Sequence, residues 1–361
     1  MNKISVLVKP ASSACNLRCK YCFYTNVATS REVANHGVMA AETAALLAQR
    51  IAEAVGFSGL ANISFQGGEP LLAGLDWFKS FAAEMDRYPG VRPNWILQTN
   101  GTLLDEEWCA FLAKREFLVG ISVDGTRANT NRYRVDASGE GVYDRAIHAI
   151  DLLEAADVEY NILTVVTRQL AQKPKQLMQF YLNHDYVHVQ LIPCLPPLDG
   201  TDDGVSLRPQ DFRSFYLGFF RAWKKVFESE RLIHINLFED LADMLEGYNP
   251  VQCGMTGRCT VQYVVEANGD VYPCDFYCLD EYKMGNIADA PLRDLSVSSA
   301  VSTFLDDEDC RREPCAGCPY SRFCNGGCRR QNVCYLTDRG CAYRDVLAEV
   351  LPELILLYDL Y

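Results

Sequence analysis

Apolar runs of β type alternate with amphipathic, helix-like stretches from the start of the chain to about residue 230. The pattern predicts strands at residues 4–9, 62–66, 95–99, 118–123, 160–166 and 188–192. Helices are predicted between them near 40–55, 75–88, 106–114, 143–156 and 174–183. Alternation of this kind implies an α/β fold of parallel strands joined by crossover helices. Six such units are too few for a closed eight-stranded barrel and fit a partial (β/α)6 barrel. The style breaks at Pro193-Cys194-Leu195-Pro196-Pro197, whose prolines mark an irregular loop. A helix near 211–229 then bridges to a cysteine-rich region running from Cys253 to Cys341, followed by a C-terminal helix. Two domains are expected, 1–230 and 231–361. There is no internal repeat.

With 361 residues, 49% of them hydrophobic, the chain can bury a substantial core. It has no apolar stretch near the roughly 20 residues that cross a bilayer. Nor does a basic segment followed by an apolar one open it, so neither membrane nor secretion is expected. Sixteen cysteines in a long, signal-free chain point to metal clusters or catalysis rather than disulfides, and to the reducing cytoplasm. A net charge of −13 without a basic block argues against nucleic acid and suits a positively charged substrate.

Cys15, Cys19 and Cys22 form a Cys-x3-Cys-x2-Cys triplet just after the first strand, at the end of the sheet where ligands bind in this architecture. Iron–sulfur clusters usually take four cysteines, so three leave one iron open to a small molecule. Zinc, the bland alternative, takes four ligands from paired motifs, and the next candidate is His36. The triplet resembles the signature of the radical S-adenosylmethionine (radical SAM) superfamily, in which the open iron chelates SAM. Phe65-Gln66-Gly67-Gly68-Glu69-Pro70 follows the second strand, where paired glycines permit close backbone approach. Glu69 adds a carboxylate for an ammonium group. The run resembles the Gly-Gly-Glu-Pro motif that contacts the SAM amino group. Gln98-Thr99-Asn100-Gly101 and Gly120-Ile121-Ser122-Val123-Asp124-Gly125 lie at further strand ends, and Ser122 can hydrogen-bond a ribose or carboxylate.

The second cysteine set discriminates more sharply. Cys259, Gly269 and Cys274 reproduce the opening of a SPASM-type auxiliary-cluster domain, and Cys315-x2-Cys318-x5-Cys324-x3-Cys328 with Cys341 continues it. Adding Cys253 makes eight ligands, enough for two fully ligated four-iron clusters. The resemblance assigns Cys253, Cys259, Cys274 and Cys328 to one and Cys315, Cys318, Cys324 and Cys341 to the other. Three [4Fe-4S] clusters in all are implied. A zinc ribbon is the alternative for these cysteines. Cys109, Cys194, Cys278, Cys310 and Cys334 are left over; Cys109, on an apolar helix face, reads as a buried structural thiol.

Over its whole length the chain resembles the anaerobic sulfatase-maturating enzymes, through residues 9–24, 65–70, 98–101, 119–125, 264–277 and 315–330. These oxidise a Cys or Ser of a sulfatase polypeptide to Cα-formylglycine. The resemblance implies SAM contacts at Tyr21, Gly67, Gly68, Glu69, Ser122, Arg134 and Leu195, with Arg132 an alternative to Arg134. It implies SAM cleavage, abstraction of a β-hydrogen by a 5′-deoxyadenosyl radical, and a general base at Asp275, directly after Cys274. It also implies a sulfatase partner carrying Cys/Ser-x-Pro/Ala-x-Arg, a flavodoxin or ferredoxin as electron donor, and a monomer. A radical SAM maturase that crosslinks a ribosomally made peptide shares fold and clusters and is the alternative. A non-catalytic electron carrier would have no use for an open iron or for the Gly67–Glu69 loop.

Overall fold

The computed structural model describes residues 2–306 and 313–359. In chain order its main strands are β1 (Asn2–Val8), β2 (Gly59–Phe65), β3 (Val91–Thr99), β4 (Leu118–Ser122), β5 (Tyr160–Val166), β6 (His188–Pro193), β7 (His234–Ile235), β8 (Val264–Val265), β9 (Asp270–Tyr272) and β10 (Gly285–Asn286). The helices are α1 (Phe23–Thr29), α2 (Ala41–Ala54), α3 (Leu75–Asp86), α4 (Glu106–Lys114), α5 (Arg127–Tyr133), α6 (Tyr143–Ala155), α7 (Pro174–Asn183), α8 (Pro209–Phe227), α9 (Asn236–Leu245), α10 (Leu292–Leu295), α11 (Ser299–Asp306) and α12 (Ala342–Leu357). No helix of the described residues is long and apolar enough to cross a membrane.

All six predicted strands form, and β3 begins four residues before its predicted start. Arg92-Pro93-Asn94 hides that beginning, because proline is normally excluded from a paired strand interior. Here Pro93 pairs with Ala61 of β2, while β4 joins β3 only from Ile96 onward. The proline therefore sits where one side of the strand is an edge. α1, immediately after the cysteine triplet, has no apolar periodicity to announce it.

The chain packs as two compact units that do not follow chain order: residues 2–122, 131–160 and 260–306, and residues 123–130, 161–259 and 313–359. In the first, β1 to β4 pair in parallel sequence. On its other edge β1 pairs with β8 through Leu7–Val264 and Val8–Val265, and β9 and β10 extend the sheet antiparallel. Phe65 closes β2 fully buried, 4.8 Å from the Phe78 ring and stacked with Trp95 and Phe117. In the second unit β5, β6 and β7 pair in parallel. The aromatic face of α8 (Phe212, Phe215, Phe219, Trp223) is buried there, and Phe212 meets Tyr343 of α12 edge-on at 5.9 Å.

Candidate active site

β1 ends at Val8 and the chain turns through 10–14 into the triplet. Leu17 donates its backbone N–H to Cys15 Sγ at 3.3 Å, the kind of contact that steadies a sulfur ligand. The loop is braced on both flanks. Arg18 and Lys20 donate backbone N–H groups to Val135 and Tyr133. On the other side Gly68 and Glu69 donate to the carbonyls of Ser12 and Ala14. A Cβ on Gly68 would stand 2.0 Å from the Ala14 oxygen, so only glycine permits this approach. Gly67 takes a φ of +130°, open to glycine alone. The glycine pair is thus a seat for the triplet loop.

Glu69 is buried and organises the strand ends. Its Oε1 accepts from Thr99 Oγ1 at 2.7 Å and Leu71 N at 3.1 Å, and Oε2 from Asn100 N at 2.9 Å. Burial raises its carboxyl to about 7 despite these bonds. Asn100 also reaches Asn16, which donates to Thr102 at 2.8 Å and so ties Cys15's neighbour to the end of β3. Arg134 is buried with its guanidinium 5.4 Å from the Tyr21 ring centroid, while Arg132 is exposed. The structure therefore brings Tyr21 and Arg134 together beside the triplet. Ser122 ends β4, half-buried. Leu195, in the second unit, is buried in the loop after β6.

Asp275 follows Cys274 at the end of β9 and is buried within the first unit. Three side chains that sequence reasoning passed over converge on it. Lys9, just beyond β1, places Nζ 3.1 Å from Oδ1. Tyr24 of α1, two residues past Cys22, donates its hydroxyl to Oδ2 at 2.5 Å. Gln66, just beyond β2, donates to the same oxygen at 2.8 Å and to the Tyr24 hydroxyl. Lys9 also donates to Cys278 Sγ at 3.3 Å and lies 3.9 Å from Glu266, which pairs with Arg31 at 2.6 Å. Burial opposes the Lys9 charge, but the carboxylates of Asp275 and Glu266 override it and raise the ammonium. Burial pushes the Cys278 thiol up to about 12, so it meets Lys9 neutral, and the two carboxylates supply the countercharge. Only the 65–70 motif hinted at Gln66, and nothing local singled out Lys9 or Tyr24.

In the second unit Cys315, Cys318, Cys324 and Cys341 line one cavity with Tyr335, Leu336 and Leu347. Arg344 donates its N–H to Cys341 Sγ at 3.4 Å. Residues 253–257 pack on 325–331: a Cβ on Gly254 would lie 3.3 Å from the Cys328 Cβ, and Arg330 N donates to Cys328 Sγ at 3.4 Å. Cys253, Cys259 and Cys328 belong to this unit, and Cys274 to the first. Among the described residues no three Cys, His, Asp or Glu converge as on a single ion. A four-iron cluster needs no such convergence, because each thiolate binds a different iron. The donor set, all sulfur with N–H groups aimed at several of the sulfurs, fits such clusters. Cys109, Cys194, Cys278 and Cys334 are buried; Cys310 lies outside the described residues.

The Radical SAM superfamily model matches residues 10–181, and the SPASM model, an iron-sulfur cluster-binding domain, matches residues 253–319. Fold and site thus define a radical SAM enzyme: a partial (β/α)6 barrel followed by a SPASM-type domain with a C-terminal helix. The cysteine-type anaerobic sulfatase-maturating enzyme of Clostridium novyi (strain NT) is 37% identical over 334 residues, 91% of this chain and 89% of that protein. The serine-type enzyme of Klebsiella aerogenes is 29% identical over 354 residues, 96% of this chain and 86% of its own. The solved structure of native anSMEcpe with bound AdoMet and Cp18Cys peptide matches with a TM-score of 0.91 at 34% identity, covering 99% of this chain and 100% of that one. The chain belongs to the anaerobic sulfatase-maturating enzymes.

Proposed function

We propose that this enzyme oxidises a cysteine, rather than a serine, of a sulfatase polypeptide to Cα-formylglycine. The observation that carries the reading is the Tyr24–Asp275 hydrogen bond, which ties a buried carboxylate to a residue two positions beyond the cluster triplet. Higher identity to the cysteine-type relative supports the choice of target.

Cys15, Cys19 and Cys22 would hold the cluster that engages SAM. Tyr21, Gly67, Gly68, Glu69, Ser122, Arg134 and Leu195 would form the SAM site. The eight remaining ligands, Cys253, Cys259, Cys274 and Cys328 with Cys315, Cys318, Cys324 and Cys341, would hold two further four-iron clusters. In this division residues 1–230 perform the radical chemistry and residues 231–361 carry the auxiliary clusters. When bound, cluster and SAM supply hydrogen abstraction at the target β-carbon. Asp275 takes the proton of the target thiol as general base. Tyr24 and Gln66 orient the carboxylate, and burial keeps water from it. With the hydrogen atom taken by the 5′-deoxyadenosyl radical, the proton by Asp275 and the electron by an auxiliary cluster when bound, the target would become a thioaldehyde, which water converts to the aldehyde and hydrogen sulfide. A flavodoxin or ferredoxin as donor, a monomeric state and a cytoplasmic site complete the proposal.

The test is mass spectrometry on paired peptides with a Cys-x-Pro-x-Arg or Ser-x-Pro-x-Arg core, incubated anaerobically with SAM and dithionite. The Cys peptide should lose about 18 Da, the change that aldehyde formation dictates, and faster than the Ser peptide loses about 2 Da. Faster turnover of the Ser peptide would overturn the target assignment. Unchanged peptides beside accumulating 5′-deoxyadenosine would overturn the function.

A further inference from the structure

Lys9 is 2% exposed, and burying an ammonium is costly unless its partners compensate. Four charges lie together: Lys9, Arg31, Glu266 and Asp275. Glu266 has its own cation in Arg31 at 2.6 Å, whereas among the described residues Lys9 is the only cation paired with Asp275. The contact is one-sided. Asp275 Oδ1 is sealed from solvent against Lys9, although the side chain as a whole keeps about 10% exposure. Oδ2 instead accepts from Tyr24 and Gln66. Because the two oxygens are equivalent, a half-turn changes nothing; what the Lys9 charge opposes is a partial rotation that would pull the carboxylate out of its contacts on both sides. Lys9 also lies 4.8 Å from the Tyr24 ring centroid and so packs against the donor to Oδ2.

We propose that Lys9 is a positioning residue for the oxidation: by clamping Asp275 through Oδ1 it fixes the orientation of the carboxylate that takes the proton of the target thiol. The inference rests on the reading of Asp275 as general base. Lys9 acts through Asp275 and has no part in SAM cleavage.

Lys9→Met keeps the length of the stem and removes the charge. The experiment uses anaerobically reconstituted full-length enzyme, the Cys peptide, SAM and dithionite. It measures iron content, 5′-deoxyadenosine and formylglycine for wild type, K9M, D275N and the double variant. D275N should lower formylglycine formation about 10²–10⁴-fold, the usual size of lost general-base catalysis, while SAM cleavage continues. K9M should retain iron and SAM cleavage, lower formylglycine per 5′-deoxyadenosine about tenfold or more through kcat, and leave the peptide KM within about twofold. The double variant should be no worse than D275N, because the two residues act as a unit. Normal coupling in K9M overturns the proposal. So does a parallel loss of iron or SAM cleavage, which makes Lys9 structural, and so does an additive double variant. Normal coupling in D275N would instead remove the base assignment itself. D275N uncoupled with K9M intact removes only the role of Lys9.

Discussion

Glu69 shows how one buried side chain can hold two strand ends together. Three donors hold its carboxylate, yet burial lifts it to about 7 from an ordinary 4.5. A carboxyl raised in the folded state contributes stability fully below about pH 4.5, and loses it as pH rises through about 7. Glu69→Gln removes that titration. Denaturation of SAM-free, cluster-loaded protein between pH 5 and 8 should show wild type losing stability relative to E69Q as pH rises. Parallel curves would contradict the assignment. Asp275 stands out in the sequence only through the family resemblance, which makes the neighbouring Cys274 a cluster ligand. Its partners do not stand out: Tyr24 and Gln66 lie 251 and 209 positions away, and their bonds exist only once α1, β2 and β9 are packed. Lys9 was equally hidden, since a single lysine ending a strand is ordinarily solvated.

At the scale of elements, the six strands and the crossover helices between them followed from periodicity, because each buries one clear face. Where that signal is thin the reading stopped. The first residues of β3 are polar and contain Pro93, and β8 is two residues long and recognisable only by its pairing with β1. That pairing carries Glu266 and, past β9, Asp275 to the end of β1 where Lys9 stands. The Gly67–Glu69 turn reads in the sequence as a ligand contact; what the structure shows is that it seats the triplet loop. Gly68→Ala would drive a methyl into the Ala14 carbonyl, a backbone atom that cannot swing aside. G68A should therefore lose SAM cleavage and about four irons, the content of one cluster, by anaerobic reconstitution and iron assay. Retention of both would show that the loop tolerates the displacement.

Across the whole molecule, cysteine spacing announced the auxiliary domain well, because cluster ligands must recur at fixed intervals. The spacing did not reveal that residues 260–306 pack in one unit with the first strands of the barrel. Chain order says nothing about such interleaving. If all eleven ligands serve three clusters, the enzyme should carry about twelve irons, falling to about eight when Cys15, Cys19 and Cys22 become Ala. A wild-type content near four would contradict the auxiliary clusters. The most direct measurement is made in cells: anaerobic co-expression with a sulfatase bearing Cys-x-Pro-x-Arg, then mass analysis of its target peptide. The account predicts formylglycine, about 18 Da lighter than cysteine, with this enzyme and none with its Cys15→Ala variant. An unmodified cysteine beside iron-loaded enzyme, or equal conversion by both, would contradict it.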